Sequence, residues 1–370
     1  MTKQAVERKA VRLHLTNIAG LGAVQLLQSL LPNFERLPGY KLEAIFLPSR
    51  GELSNYETAC HETKLICYKR YLPNSISRLL ECTLFGSKFD GATPLLVLGD
   101  IPVRTKTKQT VFVQTTLLTD GASTGRQLGA IKYWIARWLF RLNIDYVSAF
   151  IVQTEAMKAA LIETYPKIRE RVRVIAQPAP SWLLESQLKR TQKNIRTDSG
   201  LRLFYPAAVY PHKNHQLLGA IRADQANTWP VSELLLTIPE NLNPSPAIAW
   251  IHCVDRLAPN KVIKAYENAD ALLFLSLSES FGFPLVEAMW IGLPIICPDL
   301  PYARTLCGNQ AIYFNPEDVN SLYVAIVDLS KRLDSGWWPE WSENLKGIPR
   351  NWTEVAAAML SLATDEGEAA

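Results

Sequence analysis

"SLSESFGFPLVEAMWIGLPII", residues 276–296, sets an apolar, glycine-bearing turn between two glutamates, Glu279 and Glu287, eight positions apart. The run "ALLFLSL" (271–277) that leads into it is short and almost wholly apolar, which suits a strand buried on both faces of a parallel sheet. Pro284 stands where a helical pattern begins, a position at which its missing N–H costs nothing. "PIICP" then reads as the next strand. Strand, turn, helix, strand is the repeating unit of a doubly wound α/β sheet, and such sheets bind ligands at the carboxyl ends of their strands. Glu279 then projects from the loop above the sheet, and Glu287 lies about one turn into the helix. The N–H groups from Ser280 to Phe283 face out from the positive end of that helix and can hold phosphate, and Gly282 permits a close backbone approach. A hydroxylated, phosphorylated ligand could be gripped between the two carboxylates. The residues alone also allow a plainer arrangement, with Glu279 solvated and Glu287 complementing the helix dipole.

The same alternation extends in both directions. Around this stretch come strand "LRLFYPA", helix "NHQLLGAIRA", strands "ELLLTIP" and "AIAWIHC", helix "NKVIKAYENA" and helix "VNSLYVAIVDLSKRL". Upstream, "AVRLHLT" leads through "NIAGLG" into the helical "AVQLLQSLL". Further strands are expected at "EAIFLP", "LICYK", "LLVLGD", "VFVQTTLL", "SAFIVQT" and "RVRVIAQP". Between the halves, "ESQLKRTQKNIRTDSG" (185–200) is charged and weakly hydrophobic and reads as a solvated linker with some helical character at its start. Near the end, "GWWPEWSENLKGIPRNWTEVAAAMLSLA" holds four of the ten tryptophans, so this segment should be pinned to a packed surface. Its last part is expected to be a helix with Thr353 as N-cap and Val355, Met359 and Leu360 facing inward. The tail "ATDEGEAA" is expected to fray.

In the second half, "YPAAVYPHKNHQLL" (205–218) places Lys213 and Asn214 where a helix should follow a strand end. Lysine there suits a phosphate, although an ordinary helix start capped by Asn214 reads equally well.

At 370 residues the chain is longer than one ordinary core requires, and 48% hydrophobic with 20% charged residues is a globular composition. The opening residues lack the apolar core of a secretory signal, and no apolar run approaches the length of a membrane span. The six cysteines are scattered without a C-x-x-C pair, which reads as reduced thiols, mostly in cores, and points to the cytoplasm. The net charge of +4 is unevenly shared: residues 1–178 hold 24 Lys and Arg against 14 Asp and Glu, and the rest hold 15 against 21. In "GAIKYWIARWLFRLN" (129–143), Lys132, Arg137 and Arg141 interleave with Tyr133, Trp134, Trp138 and Phe140 at helical spacing. That helix either buries its aliphatic side in the first domain or lays a basic, aromatic side on an anionic membrane. The basic residues match no nucleic-acid module, so a nucleic-acid partner is not expected.

"ESFGFPLVEAMWIGLPII" resembles the E-x7-E signature of retaining glycosyltransferases of the GT-B fold, glycosyltransferase family 4. "YPHKNH" is similar to the lysine region of mannosyltransferase-like members. "YENADALLFLSLSESFGFPLVEAM" followed by "AIYFNPEDVNSLYVAI" follows the order of that family's second domain. The resemblance is close over about 200–330 and looser elsewhere. It implies two Rossmann-like domains facing across a cleft, with a C-terminal helix crossing back to the first. The expected divisions are an acceptor-binding domain (1–180), a linker (181–200), a nucleotide-sugar-binding domain (201–345) and the crossing helix and tail (346–370).

Residue by residue, the resemblance implies that Lys213 neutralises the donor diphosphate and Glu279 binds donor-sugar hydroxyls. The N–H groups of Ser280, Phe281, Gly282 and Phe283 would face sugar and diphosphate, and Glu287 would hold the ribose. Gly20 and Gly22 of "NIAGLGA" match the first-domain phosphate loop. Two departures stand out. Ala208 occupies a position where many members carry arginine, and Gln114, with Thr115, lies where many carry a histidine. His212 and His215 flank Lys213 and are further candidates for phosphate contact. His14 is expected at the edge of a core.

The function implied is transfer of a sugar, mannose first and GDP-mannose as its donor, with retention, to a saccharide or lipid-linked saccharide acceptor, without metal or cofactor. Its place would be the cytoplasm at the inner membrane face, with peripheral membrane contact by the first domain. The two departures leave a non-catalytic GT-B partner subunit or sugar-nucleotide sensor as the alternative.

Overall fold

In the computed structural model of the chain, residues 8–18, 20–70, 72, 74–119, 130–192 and 200–365 are described. Parts of four expected features lie outside them: residue 19 of the "NIAGLGA" loop, residue 129 of the basic aromatic segment, residues 193–199 of the linker and residues 366–370 of the tail. The chain forms two compact units, residues 1–177 with 349–370 and residues 178–348.

The first unit runs β1 (Lys9–His14), α1 (Leu21–Arg36), β2 (Tyr40–Pro48), β3 (Lys64–Tyr68), α2 (Asn74–Cys82), β4 (Leu95–Val97) and β5 (Gln109–Phe112). It continues with α3 (Ala130–Asn143), β6 (Val147–Val152), α4 (Glu155–Thr164) and β7 (Val172–Val174). All seven strands pair in parallel, in the order β3-β2-β1-β4-β5-β6-β7. Covered on both faces, the central strands are buried at nearly every position. Val97, Val111, Phe150 and Val152 pack with Leu139 and Phe140 of α3 and with Met157 and Leu161 of α4.

The second unit runs α5 (Ser181–Ser186), β8 (Leu201–Tyr205), β9 (Val231–Leu236), β10 (Ile251–Cys253), α6 (Pro259–Asn268), β11 (Ala271–Leu273) and α7 (Phe283–Ile291). Then come β12 (Ile295–Pro298), α8 (Pro301–Cys307), β13 (Ile312–Phe314), α9 (Val319–Asp334) and α10 (Ser342–Leu345). Its six strands are again all parallel, in the order β10-β9-β8-β11-β12-β13. In each sheet the strand order reverses direction once, between β1 and β4 and between β8 and β11. Such a switch point leaves a crevice at the carboxyl ends of its two strands.

The closing helix α11 (Trp352–Thr364) belongs to the first unit and packs on α1 and on β1, β4, β5 and β6. Val355, Met359 and Leu360 are fully buried, as the sequence pattern expects. Its N-cap is Asn351 and not Thr353: Asn351 Oδ1 accepts from the Glu354 N–H at 3.0 Å. Thr353 donates instead to Asn33 Oδ1 on α1 at 2.8 Å. Of the late tryptophans, Trp341 is buried in the second unit, with Nε1 donating to the Leu293 carbonyl at 3.0 Å, and Trp352 is buried in the first.

Four local expectations change. In place of the α-helix expected over "NHQLLGAIRA" (214–223), the chain makes a 3-10 turn just before it, at Pro211–Lys213, and another within it, at His215–Ala220. Asn214 between them is left-handed (φ 54°) and ties its side chain to the Pro316 carbonyl at 3.0 Å, which stops helical propagation. "VFVQTTLL" stops being strand at Phe112 and "ALLFLSL" at Leu273, because both chains then turn to build loops. The segment from 185 is not simply solvated: Arg190 is buried, its N–H bonds the Ile291 carbonyl at 2.6 Å and its guanidinium the Ala269 carbonyl at 2.7 Å. Of the six free cysteines, three are buried, Cys82, Cys297 and Cys307.

Candidate functional site

The switch point of the second sheet gathers the residues that the sequence singled out there. β8 ends at Tyr205, and the 3-10 turn that follows carries Lys213. β11 ends at Leu273, and the loop after it carries Glu279. Lys213 Nζ donates to Glu279 Oε1, with the two side chains 15% and 12% exposed. An ion pair so largely withdrawn from water, yet open on one side, keeps its charges strong for an incoming polar group.

The two loops are sewn together below this pair. The Leu277 N–H and the Ser276 hydroxyl both donate to the His212 carbonyl, at 2.7 and 3.2 Å. Buried Tyr205 donates its hydroxyl to the Lys213 carbonyl at 2.7 Å, and Tyr302 donates to the Ser276 carbonyl. The Phe274 ring lies 5.9 Å from Lys213 Nζ. Loop residues held by backbone bonds and aromatic packing offer Lys213 and Glu279 little freedom, so their geometry is set before any ligand arrives.

Beyond Glu279 the chain makes its tight turn into α7. Gly282 is the N-cap and is left-handed (φ 86°), a conformation that strains any residue with a Cβ. Phe281 is buried, with its ring edge-on to Phe283 at 5.0 Å. Among the described residues, the N–H groups of Phe281, Gly282 and Phe283 donate to no backbone carbonyl. They add to the positive end of the helix, and together these features suit an anion.

Glu287 points away from solvent. It is 7% exposed, and Tyr266 of α6, itself fully buried, donates its hydroxyl to Oε2 at 2.6 Å. Burial pushes the Glu287 carboxyl up to about 7, against the Tyr266 hydrogen bond that favours the anion. The flanking histidines are not cations near neutrality. Burial first, and then the Lys213 charge, lower His215 to about 4 and move His212 in the same direction. The His215 ring lies against Tyr205 at 5.0 Å, with buried Nε2 unpartnered among the described residues, and His212 stacks on Tyr210. Lys213 is therefore the charged donor of this turn.

The remaining candidates lie in the first unit. Gly20 is the exposed N-cap of α1 (φ −80°), and Gly22 is exposed in its first turn. A Cβ added at either would meet nothing within 4 Å, so local packing demands glycine at neither position. Gln114 is a wall residue: its side-chain amide donates to the Leu98 carbonyl at 2.8 Å and its backbone N–H to Asp100 Oδ1 at 2.6 Å. Asp100 is left-handed (φ 65°), and burial raises its carboxyl to about 6.

Sequence reasoning missed a polar cluster at the first unit's own switch point. Fully buried Glu81 of α2 meets His14 Nε2 at 3.2 Å and Arg70 at 2.7 Å and accepts from the Thr16 hydroxyl. Arg70 and Arg78 both donate to Asn17 Oδ1, at 2.7 and 3.1 Å, and Arg78 also to the Asn17 carbonyl at 2.5 Å. His14 is thus a core residue, as expected, but one paired to a carboxylate. The cluster clamps Asn17, three residues before Gly20. Tyr266 was missed as well, since an aromatic on an amphipathic helix reads as ordinary core.

Comparison with known proteins fits this arrangement. Residues 239–332, which contain α6, β11, α7 and the Glu279 turn, match the family model described as Glycosyl transferases group 1. The O-antigen chain mannosyltransferase RfbU of Salmonella typhimurium is 24% identical over 208 residues, 54% of this chain and 56% of that protein. The serotype-specific mannosyltransferase WbdA of Escherichia coli is 26% identical over 233 residues, 62% of this chain and 27% of that protein. The chain thus spans about half the length of the first relative and about a quarter of the second. In fold, the structure of WaaG, a glycosyltransferase involved in lipopolysaccharide biosynthesis, superposes with a TM-score of 0.63 at 13% identity, covering 96% of this chain and 100% of that one. The chain has the GT-B fold, its residues 239–332 are similar to the glycosyl transferases group 1 model, and over about half its length it is similar in sequence to mannosyltransferases.

Proposed function

We propose that the protein is a glycosyltransferase that moves a hexose, mannose first, from a nucleoside-diphosphate sugar to a saccharide or lipid-linked saccharide acceptor, with retention at the anomeric carbon. The observation that carries this reading is the Lys213–Glu279 pair at the sheet's switch point, set beside the N-terminus of α7 inside the group 1 domain. The departing nucleoside diphosphate gathers negative charge as the glycosidic bond breaks. Lys213 neutralises it, and the N–H groups of Phe281, Gly282 and Phe283, with Ser280 beside them, supply further donors. Binding the diphosphate draws Lys213 away from Glu279, whose carboxylate is then free to accept donor-sugar hydroxyls. Glu287, ionised, takes the ribose hydroxyls, and Gly20 and Gly22, before and in the first turn of α1, leave room for a phosphate to approach the backbone. The reading takes neither metal nor cofactor.

Retention here follows a front-face displacement, in which the leaving diphosphate oxygen accepts the proton of the acceptor hydroxyl as the new bond forms. A double displacement would need a placed nucleophile. The likeness to two mannosyltransferases supports mannose as the sugar. The reading takes GDP-mannose as the donor, with the acceptor on the basic first unit at the inner membrane face.

A second reading rests on Ala208 and on Gln114, whose side chain is committed to the Leu98 carbonyl. In it the protein is a GT-B sensor or partner subunit that binds the nucleotide-sugar without turning it over. Incubation with GDP-mannose, UDP-sugars and ADP-sugars in turn, with a lipid-linked saccharide extract as acceptor, separates the two. Transfer by the wild type that Lys213→Ala abolishes supports the transferase. Nucleotide-induced stabilisation without any transfer supports the sensor. Neither transfer nor a thermal shift with GDP, UDP or ADP overturns both.

A further inference from the structure

Helix α3 does not turn an ordinary polar face to water. Leu139, Phe140 and Asn143 are buried in the first unit, while on the other side Trp134 is 64% exposed, Trp138 44% and Leu142 39%. Positions 134, 138 and 142 recur every four residues and make one stripe along the helix, with exposed Arg141 beside it. The stripe continues off the helix. Asn143 donates its side-chain amide to the Cys82 carbonyl at 2.8 Å, which brings the end of α2 against the end of α3. Gly86 lies so close to Arg104 that a Cβ there would stand 2.1 Å from the Arg104 carbonyl oxygen, and Arg104 Nε donates to the Tyr146 hydroxyl at 2.9 Å. These contacts bring the segment with exposed Leu84 and Phe85, and Arg104 with exposed Tyr146, to the end of the unit where α3 finishes.

Cations are interleaved with the apolar groups. Lys88 Nζ lies 4.7 Å from the Phe85 ring centre, and the Arg104 guanidinium 5.6 Å from that of Tyr146. Of the exposed carboxylates nearby, Asp90 already accepts from the Thr105 hydroxyl and the Lys106 N–H, and Asp145 stands on the surface. Tryptophan and tyrosine with short apolar wedges, ringed by lysine and arginine, match the layered chemistry of a bilayer interface. Acyl chains take the apolar groups, and the glycerol level takes the indole and phenol. Lipid phosphates meet the cations, and that charge complement selects the occupant. Among the described residues no helix is long and apolar enough to cross a membrane, so the contact is one of lying on the surface.

We propose that this face of the first unit, Trp134, Trp138, Leu142, Leu84 and Phe85 with Lys88, Arg104 and Arg141, seats the protein on an anionic lipid bilayer. The proposal deepens the membrane-face element of the function above without depending on the transfer reaction. Flotation of the full chain with vesicles of phosphatidylcholine alone, or with roughly a third phosphatidylglycerol, tests it directly. The wild type should float with the anionic vesicles and much less with the neutral ones. Trp134→Ser with Trp138→Ser should weaken partition roughly tenfold or more, and Lys88→Glu with Arg104→Glu should abolish the preference for anionic lipid. The thermal shift with GDP, UDP and ADP, run on the same samples, reports the nucleotide site separately and certifies that each variant is folded. The proposal is overturned if the wild type does not float, or if both folded variants float as it does. It is equally overturned if light scattering shows a dimer that the tryptophan variant dissolves while flotation is unchanged.

Discussion

At the switch point of the first sheet, Glu81 is wholly buried and closed in by His14, Thr16 and Arg70. At the switch point of the second, Glu279 is partly open, is paired with Lys213 and stands beside a helix start whose N–H groups face outward. Both lie at a switch point, yet one carboxylate, on α2, is closed in and holds a loop, and the other, on the loop after β11, keeps an opening to water. A buried charge with several partners is a structural fixture, because removing it strands the others. A pair that keeps a small opening to water, with the carboxylate bound by a single cation, can exchange that contact for a substrate group at less cost. The second sheet keeps its structural carboxylate elsewhere: buried Asp270 opens β11 at its amino end, where Arg202 binds it at 2.8 and 3.2 Å.

The difference can be broken most severely from the first unit. Glu81→Ala should cost about 3–5 kcal/mol of stability, since His14 and Arg70 lose their carboxylate inside the core. Lys213→Ala should cost less, about 1–3 kcal/mol, because Glu279 loses a charged hydrogen bond but keeps some access to water. Urea unfolding of the two variants against the wild type measures both. Equal losses would mean that the two carboxylates do the same work.

Turnover should show the reverse order. Lys213→Ala is expected to lower kcat about 10²–10³-fold, the size of effect that follows loss of one fixed donor at a developing charge. A similar fall in kcat/KM with little change in nucleotide affinity would place the loss in the transition state. A rise in KM alone would reduce Lys213 to a binding residue.

The pairing of Lys213 with Glu279 was readable only as two separate motifs. Their residue types and strand-end positions are legible in the sequence, since Gly282, Pro284 and the apolar run before them fix strand, turn and helix locally. What joins them is not local. Tyr205 reaches the Lys213 carbonyl, the Leu277 N–H reaches the His212 carbonyl, and Asn214 reaches Pro316, 102 residues away. Those long-range bonds also replaced the α-helix expected after β8 with 3-10 turns. The Glu81 cluster was opaque for the same reason, since its members come from three separate segments and form no motif. The exposed tryptophans of α3 lie between these cases. Helical spacing puts them on one face, but whether that face is covered depends on the rest of the unit.

Glu287 sharpens the comparison within the second unit. Its carboxyl is raised to about 7 by burial, above the roughly 4.3 of an unfolded chain. The folded state therefore keeps its proton longer than the unfolded state. Stability contributed by this group falls as pH rises from about 4.5 to about 7, by on the order of 3–4 kcal/mol, and is level above that. Glu287→Gln should remove this slope and unfold at higher urea than the wild type at pH 8, with little difference at pH 5. Ribose hydroxyls need the ionised form as acceptor, so wild-type nucleoside diphosphate affinity should rise between pH 6 and pH 8. The variant should retain only the rise due to the ligand's own phosphate. Parallel profiles for the two proteins would separate Glu287 from the ribose.

The smallest effect tests the first unit's share in ligand binding. Gly22 has neither a left-handed backbone nor a crowded Cβ position, so nothing in the fold requires glycine there. In the first turn of α1, alanine should therefore stabilise the protein by about 0.5 kcal/mol, through a smaller loss of backbone freedom on folding. If the loop pinned at Asn17 by Arg70 and Arg78 approaches the donor phosphates, the added methyl group obstructs that approach, and Gly22→Ala should raise the donor KM severalfold while the melting temperature rises. Gain in one quantity with loss in the other is the signature of a glycine kept for a ligand. A variant that is more stable and equally active would show that the first unit's switch point, unlike the second's, serves the fold alone.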